Sequence, residues 1–329
     1  MTYPLHPALF SDSAELEPTR AGFGRGLKAA GEANEQIVAL CADLTDSTQM
    51  SLFKEAFPNR FIEIGVAEQN LVTVASGMAR AGKIPFTSSY AAFSPGRNWE
   101  QIRTTIALNN QPVKIIGSHA GIYTGKDGAT HQMLEDIALM RVLPNMVVIA
   151  PGDSLEAEKA TRAIAENNKP SYMRLAREKT PIFSTAESPF EVGKAYVLRE
   201  GASVSLMGTG TMTYRLLEVA NILAERNIDA EVVHVPTIKP LDEETILASA
   251  RKTGRVVTAE EAQIAGGFGG AITELLSEAL PMPVKRFGMQ DRFGESGDPS
   301  ELFELFELSA QQIADSITEW AEKTHRYHQ

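Results

Sequence analysis

Short apolar runs that read as strands alternate with segments of helical periodicity along this chain, and that alternation limits the possible folds more than any other feature. Residues 37–40, 61–64, 113–116, 146–150 and 171–175 are such runs, and each precedes or follows a helical pattern. This is the signature of a parallel α/β sheet. In Pro151-Gly152-Asp153-Ser154, a turn with a capping residue, the chain leaves a strand for a helix expected over 155–166. Beyond a polar stretch at 178–191, which holds Pro181 and Pro189, the alternation restarts. Strands are expected at 203–207, 231–234, 255–259 and 284–287, and helices at 213–226, from Gly267, and at 310–322.

With 329 residues, 43% of them hydrophobic, the chain can bury two cores. We therefore expect one α/β domain over residues 1–188 and a smaller α/β domain over 189–329. The net charge of -11 leaves no basic stripe for a nucleic-acid backbone. The single cysteine, Cys41, excludes disulfides and cysteine-held zinc or iron–sulfur groups, and its apolar neighbours make it a small buried hydrophobe. No apolar run reaches the length of a membrane span, and the first 18 residues lack the pattern of a secretory leader. The expectation is a soluble, cytoplasmic protein with no nucleic-acid or membrane partner.

Glu68, in Gly65-Val66-Ala67-Glu68-Gln69-Asn70, lies where a strand turns into an apolar helix. Doubly wound sheets present ligand-contacting groups at such turns. A carboxylate there can also serve only to complement the helix dipole. Sixty residues on stands Asp127-Gly128-Ala129-Thr130-His131-Gln132, with a histidine suited to proton transfer near neutral pH. Three glycine groupings, Gly22/Gly24/Gly26, Gly208/Gly210 and 266–270, lack the context of a phosphate loop and read as tight turns and close helix packing.

Taken in order, Arg20, Asp43-Leu44-Thr45-Asp46-Ser47, the Glu68 motif, Tyr90 with Phe93, His119, the 127–132 motif, Leu143-Pro144-Asn145-Met146, Arg177 and Asp291-Arg292-Phe293-Gly294-Glu295-Ser296-Gly297 resemble the C-terminal half of a transketolase, a thiamine diphosphate enzyme. The resemblance runs from about Pro18 to Ala314. It implies a pyrimidine-binding domain with a mostly parallel sheet, followed by a transketolase C-terminal domain. It implies that Glu68 hydrogen-bonds a ring nitrogen of the cofactor's aminopyrimidine, favouring the imino tautomer that removes the thiazolium C2 proton. An apolar pocket would suit that carboxyl group by keeping it neutral. Tyr90 and Phe93 would form the wall beside the aminopyrimidine. Asp43 would lie near the thiazolium.

By the same resemblance, Arg20, Ser47, His119 and Arg177 grip a sugar phosphate, Asp127 accepts from a sugar hydroxyl, and His131 stands close to the reacting carbonyl. Ser94-Pro95-Gly96 departs from the family's aromatic run, and Lys126 replaces an acid commonly found there. His6, His234, His325 and His328 match no functional position. The family's Gly-Asp-Gly and downstream asparagine, which hold the diphosphate and Mg²⁺, do not occur here, so no metal ligand is assigned to this chain. The implied enzyme is a split transketolase, with an N-terminal subunit carrying the diphosphate and Mg²⁺ site, an α2β2 assembly and sugar phosphate substrates. Three alternatives stand beside it: the β subunit of a 2-oxoacid dehydrogenase E1, a deoxyxylulose-phosphate synthase-like enzyme, and a non-catalytic regulatory subunit. The phosphate grip and Asp127 favour transketolase over the first, and the second is usually laid out as one fused chain. Glu68 argues against the third, since a scaffold has no need of a costly buried carboxyl group.

Overall fold

The computed structural model describes residues 3–11 and 13–325. The first unit runs α1 (Thr19–Ala33), β1 (Ile37–Cys41), β2 (Phe61–Glu63), α2 (Glu68–Arg80), β3 (Ile84–Tyr90), β4 (Lys114–Ser118), α3 (Asp136–Arg141), β5 (Val147–Ile149), α4 (Ser154–Glu166) and β6 (Ser171–Arg174). The second runs β7 (Tyr196–Arg199), β8 (Val204–Gly208), α5 (Met212–Glu225), β9 (Ala230–His234), β10 (Thr237–Lys239), α6 (Glu243–Thr253), β11 (Val256–Gln263), α7 (Phe268–Ala279), β12 (Val284–Met289) and α8 (Ala310–His325). Shorter helical pieces, among them Ser51–Ala56 and Pro299–Leu305, fill the connections.

Seven strands form one sheet in the order β10-β5-β6-β4-β3-β1-β2, and five form another in the order β12-β11-β8-β9-β7. Both are parallel except at one edge strand each: β10 lies antiparallel on β5, and β7 antiparallel on β9. Central strands such as β1 and β4 are buried along their whole length, as a sheet covered on both faces requires. Cys41 ends β1 fully buried, and burial pushes its thiol up.

The expected strands and helices form to within a few residues. Six further elements, α1, α3, α6, β3, β7 and β10, do not stand out in the sequence. α1 holds four glycines, a residue that disfavours helix by about 1 kcal/mol relative to alanine. It forms because two of them seat α4. A Cβ on Gly22 would lie 1.8 Å from the Ser154 carbonyl oxygen, and one on Gly26 2.7 Å from that of Glu158. Asp153 starts α4 by accepting from the Glu156 N–H at 2.9 Å. The glycines at 266–270 also serve packing. The buried Glu260 carboxylate accepts from the N–H groups of Phe268 and Gly269 at 2.7 and 2.8 Å, occupying the helix end that a phosphate would use. A Cβ on Gly267 would come 2.1 Å from that carboxylate.

The two units interlock. β10, which follows the polar stretch at 178–191, completes the first sheet, with Thr237 opposite Ile149. His234 is fully buried and bonds Glu156 of α4 at 2.7 Å and Thr213 of α5 at 2.6 Å, a structural role. His6 accepts from the Ala8 N–H in a turn, His325 closes α8, and His328 lies outside the described residues. Among the described residues, no helix is long and apolar enough to cross a membrane.

Candidate functional site

Because β1, β2, β3, β4 and β6 run parallel, their carboxyl ends share one edge of the sheet, and the segments leaving them carry the site. β1 is followed by the loop holding Asp43 and Ser47, and β2 by the turn into Glu68. Tyr90 ends β3, His119 follows β4, and Arg177 follows β6.

Glu63, which the sequence reading passes over, ties two of these turns together. Its carboxylate accepts from the N–H groups of Asp43 and Gly65 at 2.8 and 3.0 Å and from the Thr45 hydroxyl at 3.0 Å. Asp43 takes a left-handed conformation at φ 59°, so this backbone bond fixes an otherwise unfavourable turn. Nothing in the pattern Phe61-Ile62-Glu63-Ile64 marks Glu63 for this task, since alternate strand residues are ordinarily polar.

Glu68 is the first residue of α2, and its side chain is 5% exposed. It borders a cavity of about 550 Å³ lined by residues 66–70 and Arg97. The apolar setting expected for it is corrected by the structure. Arg97 Nη1 lies 3.1 and 3.2 Å from the two carboxylate oxygens, so the group is buried within an ion pair. Asn98 causes this by donating to the Glu68 carbonyl at 2.8 Å, which brings its neighbour Arg97 alongside. The Arg97 guanidinium also stands 4.0 Å over the Phe93 ring, a cation–π contact. The only hint of it in the sequence is the departure at Ser94-Pro95-Gly96 just before it.

Tyr90, Phe93, His119 and His131 form one cluster of rings. Tyr90 stacks on His119 at 3.9 Å and on Phe93 at 5.9 Å, and His131 presents an edge to Phe93 at 5.4 Å. His119 is 2% exposed, with Nδ1 bonded to the Ser118 hydroxyl at 2.9 Å. Burial, joined by the nearby charges of Arg20 and Arg177, pushes it down to about 3, so its imidazole is neutral at physiological pH.

The two arginines meet beside this cluster. Arg20 donates from Nε to the Arg177 carbonyl at 3.1 Å and from Nη1 to the Ser47 carbonyl at 2.7 Å. Burial, with Arg177 nearby, lowers its proton affinity. Arg177 Nη1 donates to the Thr124 carbonyl at 3.0 Å and lies 3.3 Å from Glu178 and 4.0 Å from Asp127. Thr124 in turn donates to the His119 carbonyl at 2.7 Å. Arg20, Arg177 and His119 are thus linked with Ser47 and Thr124 through hydrogen bonds to backbone oxygens, and the Asp127 carboxylate lies within ion-pair reach of Arg177. Lys126 pairs with Asp298 of the second unit at 3.1 Å, so the charge that replaces the usual acid is compensated.

The parallel-sheet edge thus gathers a buried carboxylate at a helix start, a cluster of rings and a pair of arginines. Comparison with known proteins gives the class to which this chain belongs. The transketolase pyrimidine binding domain family matches residues 17–182 and the transketolase C-terminal domain family residues 193–313. A Methanocaldococcus jannaschii protein provisionally named transketolase C-terminal section is 44% identical over 307 residues, covering 92% of this chain and 96% of that one. The 6-deoxy-6-sulfo-D-fructose transketolase subunit SqwH of Clostridium sp. (strain MSTE9) is 42% identical, covering 88% of this chain and 90% of its own. A solved structure titled split gene transketolase, inactive beta4 tetramer, superposes with a TM-score of 0.86 at 44% identity, covering 92% of this chain and 97% of that one. The chain belongs to the transketolase family, whose members depend on thiamine diphosphate, and it carries the family's pyrimidine-binding and C-terminal domains.

Proposed function

We propose that this chain is one subunit of a two-chain transketolase that moves a two-carbon ketol unit from a ketose phosphate to an aldose phosphate. The observation that carries the reading is the gathering of one carboxylate, four rings and two arginines along a single sheet edge, with arginine donors left over for an anion. In this reading residues 1–188 form the pyrimidine-binding domain and residues 189–329 the C-terminal domain, and the enzyme works in the cytoplasm.

Glu68 meets the ring nitrogen of the aminopyrimidine, Tyr90 and Phe93 pack against that ring, and Asp43 lies toward the thiazolium. When bound, the cofactor supplies the carbon nucleophile that takes up the two-carbon unit. Arg20, Arg177, Ser47 and the neutral His119 hold the sugar's anionic end. Asp127 accepts from a sugar hydroxyl, and His131 moves a proton at the reacting oxygen. Mg²⁺ needs hard oxygen ligands, which the diphosphate and an N-terminal subunit bearing Gly-Asp-Gly would supply in an α2β2 assembly.

A second reading of the substrate has its own support. Glu178 and Asp127 offset the charge of Arg177, which suits a monoanion, and one relative at 42% identity is named for a sulfonated ketose. The test is a coupled ketol-transfer assay with fructose 6-phosphate and its 6-deoxy-6-sulfo analogue, run with and without the N-terminal chain. Transfer is expected only with both chains present. Full activity from this chain alone, or a preference for pyruvate over every ketose tested, overturns the reading.

A further inference from the structure

The motif at 291–297 belongs to the second unit, and the site described above makes no use of it. Its backbone meets the loop that carries Asp127 and His131. That loop has glycines at both of its turns, Gly125 at φ 68° and Gly128 at φ 72°. Glycine at such angles is unstrained but imposes little order of its own. Its far flank is fixed, since Gly121 donates to the Met133 carbonyl at 2.9 Å and Arg174 to the same oxygen at 3.3 Å. Between these points the loop makes its own turns, with the Gly128 N–H donating to the Gly125 carbonyl and the His131 and Gln132 N–H groups to the Gly128 carbonyl, each at 3.0 Å, and the other unit adds the bonds that tie these turns down.

Gln132, next to His131, is 4% exposed. Its Nε2 donates to the Gly125 carbonyl at 3.0 Å, which closes the loop on itself, and to the Glu295 carbonyl at 2.8 Å, which fastens it to the second unit. Ser296 donates its hydroxyl to the Lys126 carbonyl at 2.5 Å, next to Asp127. Lys126 pairs with Asp298 at 3.1 Å. A Cβ on Gly294 would stand 1.7 Å from Gln132 Oε1, so no other residue fits there while Gln132 holds this position. The motif is itself braced. Arg292 pairs with Glu295 and stacks over Phe306 at 4.8 Å, and Gln263 donates to the Arg292 carbonyl at 2.7 Å.

We propose that residues 294–298 of the second unit clamp the 125–132 loop, and that Gln132, Gly294 and Ser296 are positioning residues for Asp127 and His131. The proposal deepens the transketolase reading and rests on it for the roles of those two side chains. The contacts go to the loop's backbone at Lys126, just before Asp127, and to the side chain of Gln132, beside His131. They therefore restrict where both side chains can stand, and a displacement of about 1 Å in a reacting group can cost on the order of a hundredfold in rate. On this account the C-terminal domain takes part in the reaction without supplying a catalytic residue.

The test uses Gly294→Ala, Gln132→Ala, their double variant, and the milder Ser296→Ala. Hydrogen exchange of the full chain, read by mass spectrometry, should show the 125–132 peptide opening about tenfold faster in Gly294→Ala, with the sheet unchanged. In the two-chain enzyme, kcat/KM for the ketose should fall about tenfold or more, while proton–deuterium exchange at the cofactor's C2 stays at the wild-type rate, because Glu68 lies outside the loop. Since Gly294→Ala acts through Gln132, the double variant should be no worse than Gln132→Ala alone. Ser296→Ala should show the same pattern about two- to fivefold weaker and keeps the test alive should Gly294→Ala fail to fold. Unchanged loop exchange and ketol transfer, or multiplicative effects in the double variant, overturn the clamp. Absence of ketol transfer in the wild-type pair overturns the functional reading instead, and the exchange measurement still judges the clamp.

Discussion

Arg174 and Arg177 stand three residues apart at the end of one strand, yet the fold gives them opposite tasks. Arg174 is buried between the two units with its donors engaged. Nε meets Asp136 at 3.0 Å, Nη1 meets Glu261 at 3.2 Å, and Nη2 meets the carbonyls of Met133 and Glu261 at 3.3 and 3.0 Å. Tyr172 and Thr211 complete the carboxylates' bonding at 2.7 and 3.1 Å. Burial works against its charge, but Asp136 and Glu261 outweigh it and push the guanidinium up. Arg177 uses Nη1 alone and keeps its Nε and Nη2 without a protein partner among the described residues, as does Nη2 of Arg20. A saturated arginine cements two units. An unsaturated pair at a sheet edge can still take up an anion.

The hardest blow to this contrast is Arg174→Met. It leaves Asp136 and Glu261 buried without their cation, and breaking such a pair costs about 3–5 kcal/mol. Urea unfolding should show the full loss. Arg20→Ala and Arg177→Ala should each change stability by less than about 1 kcal/mol, because those charges are partly solvated. Each should raise KM for an anionic ketose about ten- to a hundredfold while hardly affecting an uncharged analogue. Steady-state kinetics beside the same unfolding curves settles it. If Arg177→Ala unfolds the chain as readily as Arg174→Met, the distinction is lost.

A smaller effect sharpens the picture through pH. His119 is held down to about 3 in the fold, below its ordinary value near 6.5, by burial first and the two arginines second. Between those values the unfolded chain binds a proton that the folded chain refuses. Stability from this group is therefore complete above about pH 6.5 and is lost as pH falls toward 3. The difference in unfolding free energy between wild type and His119→Asn should shrink by about 1 kcal/mol from pH 6.5 to 5.5. A difference that stays constant with pH would show that the ring is free to charge.

Most strands were legible because burial on both faces demands apolar runs, and most of the residues that the fold gathers at the sheet edge stand in the sequence as an ordered set of motifs. β3 was not. Its segment Ile84-Pro85-Phe86-Thr87-Ser88-Ser89-Tyr90 puts a proline and three hydroxyl residues in a central strand, which argues against a strand on sequence grounds. The structure accepts it by placing it between β1 and β4 and sending the Thr87 and Ser88 hydroxyls toward the Lys114 and Ile116 carbonyls at 3.4 Å each. Arg97 and Glu63 were missed for a related reason. Their partners lie 29 residues away and at two separate turns, and no local period records such contacts.

The sequence by itself determined the α/β class, most of the strands that feed the site and most of the groups gathered there, because periodicity and residue chemistry are local. Only the tertiary structure decided that Glu68 is buried with a guanidinium, that His119 is neutral, that β10 crosses into the first sheet and that the 294–298 segment holds the His131 loop. Burial, ion pairing and hydrogen bonds between distant segments depend on which surfaces meet. The meeting is fixed by packing the whole chain, not by any window within it.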